Sequence, residues 1–210
     1  MPRPDSSRRT AFTIIELLTV IAVIGILAAI LIPTVSSVRR SAAKARTKVQ
    51  FSQWAAAIEA FRSEYGYYPQ FDASNKVNGG AGSSGEHLFH DILAGRRRDF
   101  SPLASGSTAA NQNRKRIAFY AFGEGEFTGT DAAIANVLQD ASGNTDIAVL
   151  VDRNLDGRID SSDYTPFPAV GGMTPSVADI PSSGLRLQVA FYAPAPDADS
   201  SNPTFVFSWK

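Results

Sequence analysis

The chain has 210 residues, 44% of them hydrophobic and 19% charged, which leaves room for one membrane segment beside one packed domain and excludes disorder throughout. Its 20 basic and 20 acidic residues cancel, so nothing global points to nucleic acid or to a strongly acidic partner, although the basic residues are unevenly placed. There is no cysteine, which rules out disulfides, thiolate catalysis and cysteine zinc sites but does not fix the compartment.

Residues 1–11 form a short polar leader with Arg3, Arg8 and Arg9, followed by the apolar run Phe12–Ile32. As a helix at about 1.5 Å per residue that run spans roughly 31 Å, the thickness of a bilayer hydrocarbon core. An ordinary secretory signal has a shorter apolar stretch of about 7–15 residues with a small-x-small cleavage site behind it. Here the small residue Ala11 precedes the run instead. Positive charge in the leader favours a cytoplasmic amino terminus, but Arg39, Arg40, Lys44, Arg46 and Lys48 beyond the run outnumber it, so charge counting alone gives the opposite orientation. Glu16 interrupts the run. A carboxylate in a membrane segment costs on the order of 2.5–3.5 kcal/mol on insertion scales and is rarely left there without a partner.

The stretch Ala11-Phe12-Thr-Ile-Ile-Glu16-Leu-Leu, with its basic leader and with Pro33 directly after the apolar run, resembles the type IV prepilin signature. The resemblance implies that a prepilin peptidase cuts on the cytoplasmic side between Ala11 and Phe12 and methylates the new amino group, leaving the apolar helix in the mature chain. It also implies that Glu16 of an incoming subunit neutralises the Phe12 amine of a neighbour as subunits leave the inner membrane for a helical filament. Opposite charges attract far more strongly in that low-dielectric setting than in water. The residue before the cut is most often glycine in the family, and Ala11 departs from that while keeping a small side chain. The plainer alternative for Glu16 is a carboxylate at the membrane interface or in solvent, without a partner.

Pro33 is expected to kink or locally break the helix, because proline removes an amide donor and clashes with the preceding turn. Beyond it, Val35, Val38, Ala42, Ala45 and Val49 step by three and four as on an amphipathic helix. A bulkier seam follows at Phe51, Trp54, Ile58, Phe61 and Tyr65, suited to packing beneath a sheet, until Gly66 stops the helix. Tyr67-Tyr68-Pro69 leads into a Gly/Ser-rich loop over 78–85 and a short helix over 86–95 with a glycine stop. A helix ending in Tyr-x-x-Tyr-Pro and followed by a short helix is also similar to the major pseudopilins of type II secretion. His87 and His90 lie three apart beside Glu86 and Asp91, but spacing fixes no third ligand, and the bland reading is polar positions on a small helix.

Strand candidates follow at Arg116–Phe122, Asp146–Val151, Leu185–Tyr192 and Thr204–Trp209, with Leu185, Leu187, Val189 and Phe191 alternating as in a half-buried strand. The expected fold class is α+β, a long amino-terminal helix laid against a small antiparallel sheet. The expected organisation is a leader over 1–11, a transmembrane helix over 12–33, an amphipathic helix over 34–66 and a periplasmic head over 67–210.

Within that head, residues 152–163 match the EF-hand loop pattern, with Asp163 where glutamate usually closes the site. Asp152, Asn154, Asp156 and Asp163 supply side-chain oxygens, Arg158 its carbonyl, Asp160 a water-mediated contact, and Gly157 the sharp turn. The shorter closing residue resembles dockerin-type loops more than sensor EF-hands, and the prolines at 166 and 168 forbid a long exit helix. Calcium bound there would be structural. The alternative is an aspartate-rich surface turn.

No nucleophile with a base beside it, phosphate loop or histidine cluster of catalytic spacing is evident, so the chain reads as a structural subunit rather than an enzyme. The resemblance implies as partners copies of the same chain, a prepilin peptidase, the inner-membrane assembly platform and the membrane, with nucleic acid expected only if the fibre serves DNA uptake. A type II secretion pseudopilus is the leading expectation. A type IV pilus or DNA-uptake pilin shares the signature, and a membrane-anchored calcium-binding module that does not polymerise is the alternative of another class.

Overall fold

The structure is a computed structural model that describes residues 13–79, 87–129, 136–199 and 201–210, apart from the side chains of Pro33 and Thr34. The chain divides into two units, Met1–Ser41 and Ala42–Lys210, and helix α1 (Ile14–Tyr65) contributes to both. In the first unit the apolar residues of α1 have no covering in the monomer: Ile14 is 85% exposed and Leu17, Ile21, Ile24 and Ile32 are exposed as well. Among the described residues α1 is the one helix long and apolar enough to cross a membrane. The expected break at Pro33 is absent, because α1 continues through it. A proline deletes one helical hydrogen bond, and the bonds on either side carry the helix past the gap.

In the second unit the bulky seam forms the floor of the core: Phe51, Trp54, Ile58 and Phe61 are fully buried and Tyr65 is partly covered. The earlier seam does not join it. Val35, Val38 and Val49 are exposed, since the two residues from Val49 to Phe51 turn the helix by about 200° and put the seams on opposite faces. Gly66, at φ +80, ends α1 in the left-handed conformation that glycine adopts without cost.

Among the described residues the sheet has three antiparallel strands in the order β1 (Ala148–Val151), β2 (Val189–Pro194) and β3 (Phe205–Phe207). Val149 pairs with Phe191, and Ala193 with Val206. The expected α+β arrangement is therefore present, with two corrections. Arg116–Phe122 is not a strand: the N–H groups of Phe119 and Tyr120 both donate to the Leu93 carbonyl, and Phe122 packs against Trp54. Its aromatic content serves packing rather than a ladder.

The other correction concerns β2, which is buried on both faces rather than half-buried. Val189, Phe191 and Ala193 meet the α1 core, while Ala190 and Tyr192 meet a second core with Ile159, Tyr164, Val170 and Ile180. Leu185 and Leu187 belong to that second core, opposite to Val189. A tight turn in which Leu187 N–H donates to the Leu185 carbonyl at 2.8 Å breaks the alternation between them.

Helices α2 (Leu88–Ala94) and α3 (Thr108–Gln112) complete the unit. The expected glycine stop is Gly95, left-handed at φ +66. A Cβ there would sit 2.6 Å from the Arg116 carbonyl, so both conformation and space demand glycine.

Candidate functional site

Ala11 and Phe12 lie outside the described residues; the description begins at Thr13. Thr13 and Glu16 form a reciprocal cap on α1. The Glu16 carboxylate accepts hydrogen bonds from the Thr13 N–H at 2.9 Å and the Thr13 hydroxyl at 2.7 Å, and the Thr13 hydroxyl oxygen accepts from the Glu16 N–H at 3.3 Å. This is a capping box, and the Thr-x-x-Glu spacing is its signal in the sequence. Glu16 is exposed and has a local partner within one chain. An intermolecular partner must therefore compete with Thr13 rather than fill an empty position. Pro33 lies within α1, and its side chain is outside the description.

Loop 152–163 leaves β1 directly and folds around its own backbone. The Asp152 carboxylate accepts from the N–H groups of Asp156 at 3.2 Å and Gly157 at 2.8 Å. Asp163 accepts from Arg153, Asn154 and Asp160 at 2.9, 3.2 and 3.2 Å. The Asp156 carboxylate takes the Arg158 N–H at 2.9 Å, and Asn154 donates to Asp156 at 3.2 Å and to the Ser162 hydroxyl at 2.8 Å. Asp160 accepts both the N–H and the hydroxyl of Ser162, which together hold its carboxyl below the usual range.

The loop turns through two left-handed residues, Leu155 at φ +63 and Gly157 at φ +84. It is then fixed by buried Ile159, which bridges to Leu185. Arg153 lays its guanidinium over the Tyr164 ring at 4.5 Å.

For a hard cation this donor set has the right chemistry: oxygen ligands around a tight turn. Asp152, 1% exposed, and Asp163, 7% exposed, are buried carboxyl groups, and among the described residues no ion pair joins either to a lysine or arginine. Buried charges are normally paired or bound to metal. Among the described residues, however, no three acidic or histidine side chains converge closely enough to hold a metal ion. Asn154, the Arg158 carbonyl and water would have to complete any coordination shell.

His87 and His90 serve the core instead. Both are buried. His90 Nδ1 lies 2.8 Å from the Asp91 carboxylate, and its ring sits against Phe122 and Phe127. Burial, partly opposed by Asp91, pushes the His90 imidazole below its ordinary range.

Residues 6–32 match the family model of the prokaryotic N-terminal methylation motif. No curated protein and no solved structure matches the chain. The motif is that of prepilin-type, pilin-like proteins, and the α+β unit of a long helix and small antiparallel sheet agrees with the pilin-like fold. Such an amino terminus implies membrane anchoring, processing by a prepilin peptidase and filament assembly in general.

Proposed function

We propose that this chain is a structural subunit of a type II secretion pseudopilus, cut between Ala11 and Phe12, held in the inner membrane with its head in the periplasm, and polymerised to drive protein export. The observation that carries the reading is the methylation motif over residues 6–32 at the head of a helix whose apolar residues from Ile14 to Ile32 have no covering within the monomer. An apolar surface of that extent is stable only in lipid or against other apolar helices, and a fibre core supplies the second environment when the first is left. Glu16 then exchanges its Thr13 contacts for the Phe12 amine of a neighbour.

Intact mass and amino-terminal sequencing of the chain purified from membranes test the processing: the mature protein starts at methylated Phe12, and a chain starting at Met1 contradicts it. Glu16→Ala is expected to abolish fibre assembly in cells while leaving the chain in the membrane. Fibres built normally by that variant would remove the polymer reading.

A second reading concerns loop 152–163, favoured by the buried carboxylates of Asp152 and Asp163, which accept backbone N–H groups but, among the described residues, meet no lysine or arginine in an ion pair. Calcium held there by Asp152, Asn154, Asp156 and Asp163, with the Arg158 carbonyl and Asp160 through water, would neutralise the acidic cluster and stabilise the second unit by mass action. The ion's role is structural.

A further inference from the structure

The net charge of zero hides one strongly basic place. Two runs far apart in sequence, Arg96-Arg97-Arg98 and Arg114-Lys115-Arg116, are brought together by the close approach of Gly95 to the Arg116 backbone. The Arg116 guanidinium reaches across to the Leu103 carbonyl at 3.4 Å, beside the turn in which Arg97 N–H donates to the Ser101 carbonyl at 2.9 Å. Arg96, Arg114, Lys115 and Arg116 are exposed. Two acids among the described residues lie beside these runs: Glu64 pairs with Lys115, and the Asp99 carboxylate accepts both the N–H and the hydroxyl of Ser101. Arg98 is not part of this surface, since it is buried with its guanidinium 3.7 Å over the Phe127 ring.

Beside the first basic run stands Phe100, 59% exposed and held at φ +64, a conformation that bulky side chains rarely adopt. The Arg96 guanidinium stacks on its ring at 4.7 Å. An exposed aromatic ring in a strained turn costs stability and contributes nothing to the core, a combination typical of functional positions.

We infer that this surface binds single-stranded nucleic acid, with the arginines on phosphates and a base stacked on Phe100. Cations placed along a surface neutralise a phosphodiester backbone without reading sequence. An aromatic ring among them is what separates a strand with unstacked bases from a duplex or a lipid headgroup, because only the former offers a free π-face. The inference goes beyond the fibre reading and stands or falls independently of it.

The test uses the full chain in an uncharged detergent and a fluorescent oligothymidine, read by anisotropy. Binding is expected to weaken linearly with log salt, by about 0.7 in log K for each phosphate neutralised. The double substitution Arg96→Glu with Arg114→Glu is expected to lower affinity at least tenfold and flatten that slope. Arg96→Gln with Arg114→Gln does the same more mildly, and unchanged circular dichroism and melting confirm that both fold. Phe100→Ala is expected to lower affinity about fivefold or more with the salt slope unchanged, the signature of lost stacking. Absence of binding at low salt, or binding indifferent to the charge reversals, overturns the proposal. So does a loss of phosphatidylglycerol-vesicle affinity in the charge reversals that exceeds their loss of oligonucleotide affinity, which would make the surface, and not α1 alone, a membrane contact.

Discussion

At Glu16 the carboxylate is satisfied by the Thr13 N–H and hydroxyl, so the lone charge that the apolar run suggests is part of a helix cap in the single chain. In the proposed fibre, assembly must offer more than that cap, and the free Phe12 amine proposed as the partner would do so, because a full positive charge in a low-dielectric setting outweighs two neutral donors. His90 carries a different consequence. Its imidazole is held below the ordinary 6.5 mainly by burial, so the unfolded chain takes up the proton first as pH falls. Stability is full above that value and is lost below it, by at most about 1.4 kcal/mol per pH unit. Melting temperature is therefore expected to drop between about pH 7 and pH 5, less steeply in His90→Gln, and parallel pH profiles would contradict this. At this scale Gly66 and Gly95 were legible, since each stops a helix where local chemistry decides. Phe100 was not, because a left-handed turn at a phenylalanine has no signature of its own.

Among the elements, α1 was the most readable, because the step of three and four at Phe51, Trp54, Ile58 and Phe61 has one geometric solution. Trp54 is fully buried, stacks edge-on to Phe89 and Phe191, and donates its indole N–H to Glu126 at 2.9 Å. Trp54→Ala is expected to cost about 3–5 kcal/mol in denaturant unfolding, and a loss under about 1 kcal/mol would mean the ring is not in the core. The short strands were less readable. Arg116–Phe122 has strand composition, yet its backbone is drawn to the carbonyl end of α2, a tertiary preference that no local pattern encodes.

Loop 152–163 was legible as a turn, because Asp, Asn and Gly at those spacings close on their own backbone with or without an ion. If calcium binds there, a chelator lowers the melting temperature of the wild type and not of Asp152→Ala; at about a hundredfold excess over Kd the difference approaches about 2.7 kcal/mol. Identical melting with and without chelator would leave the loop as an aspartate-rich turn.

At the largest scale, the sequence leads one to expect one core beneath the sheet, and the described residues form two, because residues 159–187 cover the face that alternation assigns to solvent. Long-range coverage of that kind is set by the path of irregular chain, which periodicity does not record. Net charge records no position either: 20 basic and 20 acidic residues sum to zero while the approach of Gly95 to Arg116 brings two of the unevenly placed basic runs together.

The fibre reading rests on the amino terminus, where cap and charge can be separated by one substitution. Glutamine at position 16 keeps the capping geometry, since Glu and Gln both serve a capping box, but carries no charge. Fibre yield in cells expressing Glu16→Gln as the sole copy is the decisive measurement. The account predicts a membrane-resident, processed chain that builds no fibres, as for Glu16→Ala; fibres at the wild-type level would show that Glu16 only caps its helix and would contradict the account.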